Sequence, residues 1–562
     1  MTGLEKHGTR GAGAAGPLPG DASAGVRDRS PVRPRRYVCA LRPAGTSGSR
    51  KHEDETGGRR RAQVMDAWDV IVVGAGSAGG VLADRLTEDP GRSVLLLEAG
   101  PDYGSSADGL PDDVATSPAA THSHDWGYVS EPGTLGRSVA LPRGKLVGGS
   151  SAINSAIALR GHPRDYDAWA AQGNDGWSFA DLLPSLRRVE RDLDAGPPWH
   201  GTDGPVPVRR YGTDETNRWQ RAFHHACTAL GHPPVADHNA PGARGVGPVP
   251  VNRIGGVRQS TALTYLARAR DRDHLTVRGD VLVDRVVLRD GRAVGVQLAD
   301  PARTVLPARR VVLAAGAYGS PPLLLRSGIG PADHLRGLGI PVTADLPGVG
   351  ENLRDHPAVT LRYATGAPPP GPRDPVLQTF LTCDLSGGDG PPDLQVFPSG
   401  PETDEDGTTV LTFWVSLLRP SSCGRLRLRS ADPRDAPRID VGFLRDPEDT
   451  RRMVTGMRLA RSLARTAPLS GLLREERAPG PAVTTDAQLA EALRQTVSGY
   501  QHAAGTCRMG PAADPGAVVS ATGAVHGVEA LHVIDASVMP TLPAANTNLT
   551  AMAIAEHCAH AL

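Results

Sequence analysis

The stretch Asp69-Val70-Ile71-Val72-Val73-Gly74-Ala75-Gly76-Ser77-Ala78-Gly79-Gly80, followed downstream by Leu95-Leu96-Leu97-Glu98, decides how this chain folds. A run of β-branched residues suits a strand buried on both faces. Gly74, Gly76 and Gly79 then give Gly-x-Gly-x-x-Gly. The first glycine permits a tight turn, the second lets backbone approach a pyrophosphate, and the third packs helix against strand. Ser77 and Ala78 open a helix that continues through Val81-Leu82-Ala83-Asp84-Arg85-Leu86, so that its N-terminus faces the phosphates. Ser93 to Leu97 reads as the second strand. Glu98 stands where a carboxylate holds a ribose hydroxyl. Three glycines alone are a weak signal. With a strand before, a helix after and an acid at the right distance, they predict a dinucleotide site.

The whole chain, at 562 residues, is too long for one ordinary core, so two or more domains are expected. Lys+Arg and Asp+Glu both number 61, a balance that gives no reason to propose nucleic acid as partner. Residues 1–64 hold 13 Lys/Arg against 6 Asp/Glu, a net of +7, so residues 65–562 carry −7. Cys39, Cys227, Cys383, Cys423, Cys507 and Cys558 form no Cys-x-x-Cys pair, which fits reduced thiols in a cytoplasmic protein and argues against a disulfide framework or a zinc site. There is no apolar run long enough for a membrane span.

Residues 1–64 are rich in Gly, Arg, Pro and Ser and cannot bury enough surface to offset their ordering entropy. They read as a disordered basic tail or as an extension upstream of a true start at Met65. Arg35-Arg36 invites a twin-arginine reading, but the apolar stretch after it stops at Arg42. From Trp68 onward, buried strands alternate with helices. Val281–Leu288 and Ala293–Leu298 read as a hairpin around Asp290-Gly291. Val311 to Ala315 and Leu531 to Asp535 are further buried strands, so cofactor-type strands occur at both ends. The middle, roughly 358–500, is therefore an insertion, with Leu411–Leu418 and Arg425–Leu428 as sheet. Arg474-Glu475-Glu476-Arg477 reads as a solvated helix face. His122 and His124 lack the further ligands a metal needs, and no metal is expected.

Four ordered blocks make the chain resemble the glucose–methanol–choline (GMC) family of flavin oxidoreductases. They are Asp69–Glu98, Pro142-Arg143-Gly144-Lys145-Leu146-Val147-Gly148-Gly149-Ser150-Ser151-Ala152-Ile153-Asn154, Gly316 to Gly330, and His502-Ala503-Ala504-Gly505-Thr506-Cys507-Arg508-Met509-Gly510 through Asp535-Ala536 to Asn546-Thr547-Asn548. The resemblance implies an α/β fold: an FAD-binding Rossmann-like domain with an inserted α+β substrate domain built on an antiparallel sheet. It divides the chain into an FAD-binding region over 66–357, a mainly substrate-binding region over 358–500, and a return to the FAD domain with the catalytic residues over 501–562. It implies FAD and oxidation of a primary or secondary alcohol. Some relatives bond a histidine covalently to the flavin shortly before the second block. Here that place is near Leu141-Pro142, so non-covalent FAD is expected.

By the same resemblance, Val147, Ser150, Asn154, Asp535, Ala536, Asn546 and Thr547 contact FAD, and Val283 meets the adenine through its backbone, alongside Gly74, Gly76, Ser77, Ala78, Gly79 and Glu98. His502 is the leading catalytic candidate. An imidazole titrates near neutrality and can take the hydroxyl proton while hydride passes from carbon to flavin N5. Asn546 fits the asparagine variant of the second catalytic position; its amide can hydrogen-bond the substrate oxygen but cannot act as a base. It also stands where it would cap a helix over Leu549–Leu562. Asp165, Asp167 and Trp169 are assigned structural roles. Oxygen and a quinone or protein carrier are both open as electron acceptor. Alternatives are a hydroxynitrile-lyase-like enzyme with structural flavin, which would cleave cyanohydrins, and a flavin-binding protein without turnover.

Overall fold

Val70 to Val73 and Val94 to Leu97 are fully buried, as continuous apolar runs require, and pair in parallel. The computed structural model describes residues 67–562 apart from 367, 370, 372, 386 and 389; the expectations for residues 1–64 lie outside the described residues. Leu275–Arg278, Val94–Leu97, Trp68–Val73 and Val305–Leu313 lie side by side as parallel strands. Strand Val305–Leu313 is shared along one edge. Its first half pairs antiparallel with Arg292–Leu298, and its second half pairs parallel with Leu531–Val533. Arg292–Leu298 in turn pairs with Val283–Arg289. The hairpin turns at Asp290 (φ 50°) and Gly291 (φ 76°), two left-handed residues in succession, as an Asp-Gly turn favours.

Helix Ser77–Leu86 leaves the first strand and packs against helix Thr547–Cys558, where Arg85 bonds Glu556 at 2.9 Å and Tyr265 donates to the same carboxylate at 2.6 Å. The two ends of the described chain thus share one layer over the sheet.

The second sheet is antiparallel, ordered Leu473–Ala478, Pro357–Thr365, Thr409–Leu417, Leu394–Thr403, Thr379–Cys383, Gly245–Pro248, with Ser498–Gly499 paired to the start of Pro357–Thr365. One face is covered by helices Arg218–Ala229 and Pro447–Arg465, with Phe223, Phe413, Met453 and Met457 at the centre of a separate core. The edge strand Gly245–Pro248 and its neighbouring helix come from before residue 357, so the chain enters this sheet twice. Leu473–Ala478 corrects the expected helix: it is a strand in which Glu476 turns inward to accept from Tyr363 (3.0 Å) and Arg461 (2.6 Å), while Glu475 and Arg477 face out. Period-2 pairing to Pro357–Thr365 and this buried ion pair override the helical preference of the segment. Arg425–Arg427 forms a small ribbon with Arg438–Asp440 instead of joining the sheet. Among the described residues no helix is long and apolar enough to cross a membrane.

Candidate active site

A cavity of about 610 Å³ opens at the C-terminal ends of the parallel strands and runs to the uncovered face of the antiparallel sheet. At its first end the glycines divide their work. Gly74 (φ 100°) has no room for a side chain, since a Cβ would lie 2.6 Å from the Ala314 carbonyl oxygen. A Cβ on Gly79 would lie 1.8 Å from the Gly74 oxygen; Gly79 closes the turn and does not reach the cavity wall. Gly76 does line it, and a Cβ there would meet only Gly149 Cα at 3.7 Å. The helix after Gly76 has no side-chain cap, so its first N–H groups are left for a ligand.

Glu98 accepts from the N–H of Ala75 and of Gly100, both at 3.0 Å. Burial pushes its carboxyl up to about 7 against those two donors. Ser77, Ala78, Ser150, Asn154, Val283, Asp535, Ala536, Asn546 and Thr547 also line the cavity. Val147 does not: it lies in the core, and its N–H donates to the Pro101 carbonyl (3.0 Å). The Asp535 carboxylate is committed within the protein, accepting from Gly316 N–H (2.8 Å), Ser320 Oγ (2.5 Å) and Ser537 N–H (2.7 Å). Ser77 Oγ donates to Asn548 Oδ1 (2.7 Å), which leaves the buried Asn548 Nδ2 donor without a partner on the cavity wall. An uncapped helix N-terminus, a buried acid and an unspent amide donor fit the pyrophosphate, ribose and further acceptors of FAD. Among the described histidines, those lining the cavity are His122 and His502, and neither lies near Leu141-Pro142 in sequence.

At the far end, Asn352 to Pro357 and Ser498 to Ala504 run alongside one another, tied by reciprocal bonds between Arg354 and Ala504. Gln501 is held at φ 67°, a conformation costly for a residue with a side chain. The Asp355 carboxylate fixes it by accepting the His502 N–H at 2.7 Å. This kink puts the Tyr500 and His502 rings on the same side, 4.4 Å apart. Tyr500 is anchored by donating its hydroxyl to Gln395 Oε1 (2.8 Å).

Asn546 Nδ2 donates to His502 Nε2 at 3.1 Å, and His502 Nδ1 meets His356 Nδ1 at 2.8 Å. Asn546 occupies the N-cap position of helix Thr547–Cys558 but makes no capping bond; its side chain goes to His502, and its buried Oδ1 makes no close hydrogen bond among the described residues. Burial, His356 and the Arg143 guanidinium hold His502 well below the usual histidine range, so its imidazole is neutral. Burial brings His356 down to about 4 and raises Asp355 to about 6. Sequence reasoning does not single out His356, Asp355 or Tyr500. The available signal is Asp355-His356 standing directly before a strand-opening proline.

The other candidates lie elsewhere. Asp165 caps its own helix at His162 N–H (2.9 Å) and accepts from Ala544 N–H (2.8 Å), and Trp169 bonds Thr541 (3.0 Å), while Asp167 accepts from Phe179 N–H (2.9 Å). His124 bonds Tyr103 (2.8 Å). Glu190, Asp192 and His200 are the acids and histidine that cluster with ligand-like spacing among the described residues. Arginines occupy that cluster: Arg160 lies 2.5 Å from Glu190, and Arg210 lies 2.8 Å from Asp192 and 2.5 Å from Asp237.

Comparison with known proteins agrees with this architecture. The family described as GMC oxidoreductase matches residues 68–358 and 420–555. An oxygen-dependent choline dehydrogenase of Photobacterium profundum is 35% identical over 528 residues, covering 88% of this chain and 93% of its own. A 5-(hydroxymethyl)furfural oxidase of a Methylovorus species is 36% identical over 528 residues, covering 88% and 98%. The crystal structure of pyridoxine 4-oxidase from Mesorbium loti superposes with a TM-score of 0.82 at 32% identity, covering 88% of this chain and 99% of that one. With a cavity running between its two sheets and family matches on both sides of the inserted strands, this chain belongs to the GMC oxidoreductases, FAD-dependent enzymes that act on alcohol groups.

Proposed function

We propose that this enzyme oxidises a primary or secondary alcohol to a carbonyl with His502 as the general base. The observation that carries the proposal is the neutral His502 imidazole, whose Nε2 faces the cavity 3.1 Å from the Asn546 amide. Bound FAD supplies the hydride acceptor. The chain supplies position and proton transfer. An alcohol oxygen entering between the two side chains would accept from Asn546 Nδ2 and donate to His502 Nε2. Loss of that proton to Nε2 raises electron density on the carbinol carbon, which is what hydride departure needs. The new positive charge on His502 is met by His356 Nδ1.

The relatives named above as a choline dehydrogenase and a 5-(hydroxymethyl)furfural oxidase support alcohol as the substrate class. Oxygen and a quinone or protein carrier are both compatible electron acceptors. The described cysteines, all unpaired, support a reducing compartment such as the cytoplasm. The regions 66–357, 358–500 and 501–562 are proposed as the FAD-binding, substrate-binding and returning catalytic segments. The test is anaerobic bleaching of the yellow protein by a panel of alcohols, followed by admission of air. Flavin that no alcohol reduces would refute alcohol oxidation, and prompt reoxidation by air would favour oxygen as acceptor.

A further inference from the structure

Strands Leu394–Thr403 and Thr409–Leu417 pair antiparallel with Phe397 opposite Trp414 and Ser399 opposite Thr412. Side chains alternate between the faces of a strand. Leu394, Val396, Phe413 and Val415 enter the helix-covered core. Phe397, Ser399, Thr412 and Trp414 take the other face and line the cavity. The wall therefore carries an aromatic rung and, about 6.8 Å further along the strands, a hydroxyl rung.

The aromatic rung forms a stacked wall. The Phe397 and Trp414 rings are 10° from parallel with centroids 6.2 Å apart, and Tyr500 stacks on Phe397 at 30° and 5.9 Å. Tyr500 leads directly to His502. On the hydroxyl rung, Ser399 Oγ has no hydrogen-bond partner among the described residues, and Thr412 Oγ1 reaches only Glu402, at 3.5 Å. Glu402 lies beyond this rung, its side chain 64% exposed and 3.7 Å from Arg362.

We propose that Ser399 and Thr412 form a second polar subsite, and that the preferred substrate is a flat, ring-containing alcohol bearing a hydrogen-bonding substituent on the side of the ring away from the reacting carbon. The proposal rests on the reading of His502 and Asn546 as the alcohol-binding end. A wall of stacked rings favours a planar ring lying against it. Ser399 Oγ and the weakly held Thr412 Oγ1 give a ring substituent two groups to hydrogen-bond, and a site built to hydrogen-bond a substituent discriminates against the analogue that lacks it.

The test uses ligands that need no turnover. The flavin-loaded protein is titrated with 4-hydroxybenzaldehyde and with benzaldehyde, read by perturbation of the flavin absorbance. The hydroxylated ring should bind at least about tenfold more tightly. In Ser399→Ala and Thr412→Val that preference should shrink to under about threefold with benzaldehyde affinity unchanged, and Thr412→Ser should keep it. Flavin content and melting temperature of each variant confirm that it is folded. Equal affinities in the unmodified enzyme, a preference that survives both substitutions, or choline perturbing the flavin at lower concentration than either aldehyde would each overturn the proposal. The expected binding pattern in a protein whose flavin no alcohol reduces would uphold the subsite and remove the oxidation reading. Reduction by alcohols without discrimination between the aldehydes would do the reverse.

Discussion

The Nδ1 atoms of His502 and His356 lie 2.8 Å apart, with both rings buried. Two Nδ1 atoms at that distance share one proton, since one must donate and the other accept. Asn546 donates to His502 Nε2, so that nitrogen carries no hydrogen; the shared proton is therefore on His502 Nδ1, and His356 accepts it. The pair thus fits the tautomer in which the cavity-facing Nε2 carries no hydrogen and can accept one.

Removing the base should spare the cofactor. His502→Ala is expected to retain FAD, because the imidazole touches His356 and Asn546 and makes no bond within the glycine turn. Reduction of the flavin by substrate should slow by roughly 10²–10⁴-fold. Asn546→Ala removes only a hydrogen bond, and a loss of about 1–3 kcal/mol, or roughly 5–150-fold, is expected. Rapid-mixing measurement of both variants checks the order. A crippled Asn546→Ala beside a normal His502→Ala would reverse the roles.

The acid limb of the reduction rate should fall below pH 6.5. The folded pKa of His502 is lowered, so its basic form persists as pH drops through the ordinary histidine range. Burial, His356 and Arg143 all push the same way, while Asp355 bonds only the His502 backbone. Arg143→Met should therefore shift the limb to higher pH. A profile with its limb at or above 6.5 in the unmodified enzyme would show that His502 is not the titrating base.

Gly76→Ala and Gly79→Ala should fail in different ways. The Gly79 methyl would overlap the Gly74 carbonyl at 1.8 Å, so this variant should not yield stable protein. The Gly76 methyl meets protein only at 3.7 Å, and it projects where the pyrophosphate approaches. It should give folded, colourless protein, seen as normal circular dichroism without bound flavin. Yellow Gly76→Ala protein would contradict the assigned phosphate site.

Arg210→Met should be strongly destabilising. It leaves Asp192 and Asp237 beside His200 with one cation fewer, and breaking such a buried pair costs about 3–5 kcal/mol. Hydrogen bonds to Asp192, Asp237 and Glu190 outweigh burial and raise His200 to about 10, so its stabilising contribution is whole below 6.5 and fades as pH rises through 10. Asp237 is lowered to about 2: burial opposes this, but His200 and Arg210 prevail. Its contribution holds above 3.8 and is lost as pH falls toward 2. Chemical denaturation across pH should show both edges, with a plateau between them.

What can be read from the sequence is local. The glycine turn, the Asp290-Gly291 hairpin and the capacity of Asn546 to precede a helix each depend on a few adjacent residues. The partnership of His502 with His356 spans 146 positions and has no spacing signature. Glu476 escapes such a reading because a charged tetrapeptide gives no hint that one of its acids will turn inward to a tyrosine and an arginine from other elements. The aromatic wall is invisible for a related reason: Phe397 and Trp414 look like ordinary strand residues until register sets them opposite one another and toward the cavity.

Ser77 and Asn548 are joined across 471 positions, and Val305–Leu313 waits for Leu531–Val533 to complete its edge. A ribosome releases the glycine turn long before it has made the residues that cover it. During that interval the nascent chain exposes an unfinished sheet edge and a half-built cofactor cradle, the condition in which early segments are most open to misassembly. Cofactor retention in this protein is therefore a late event in synthesis, and chains interrupted before residue 531 would be both colourless and prone to aggregate.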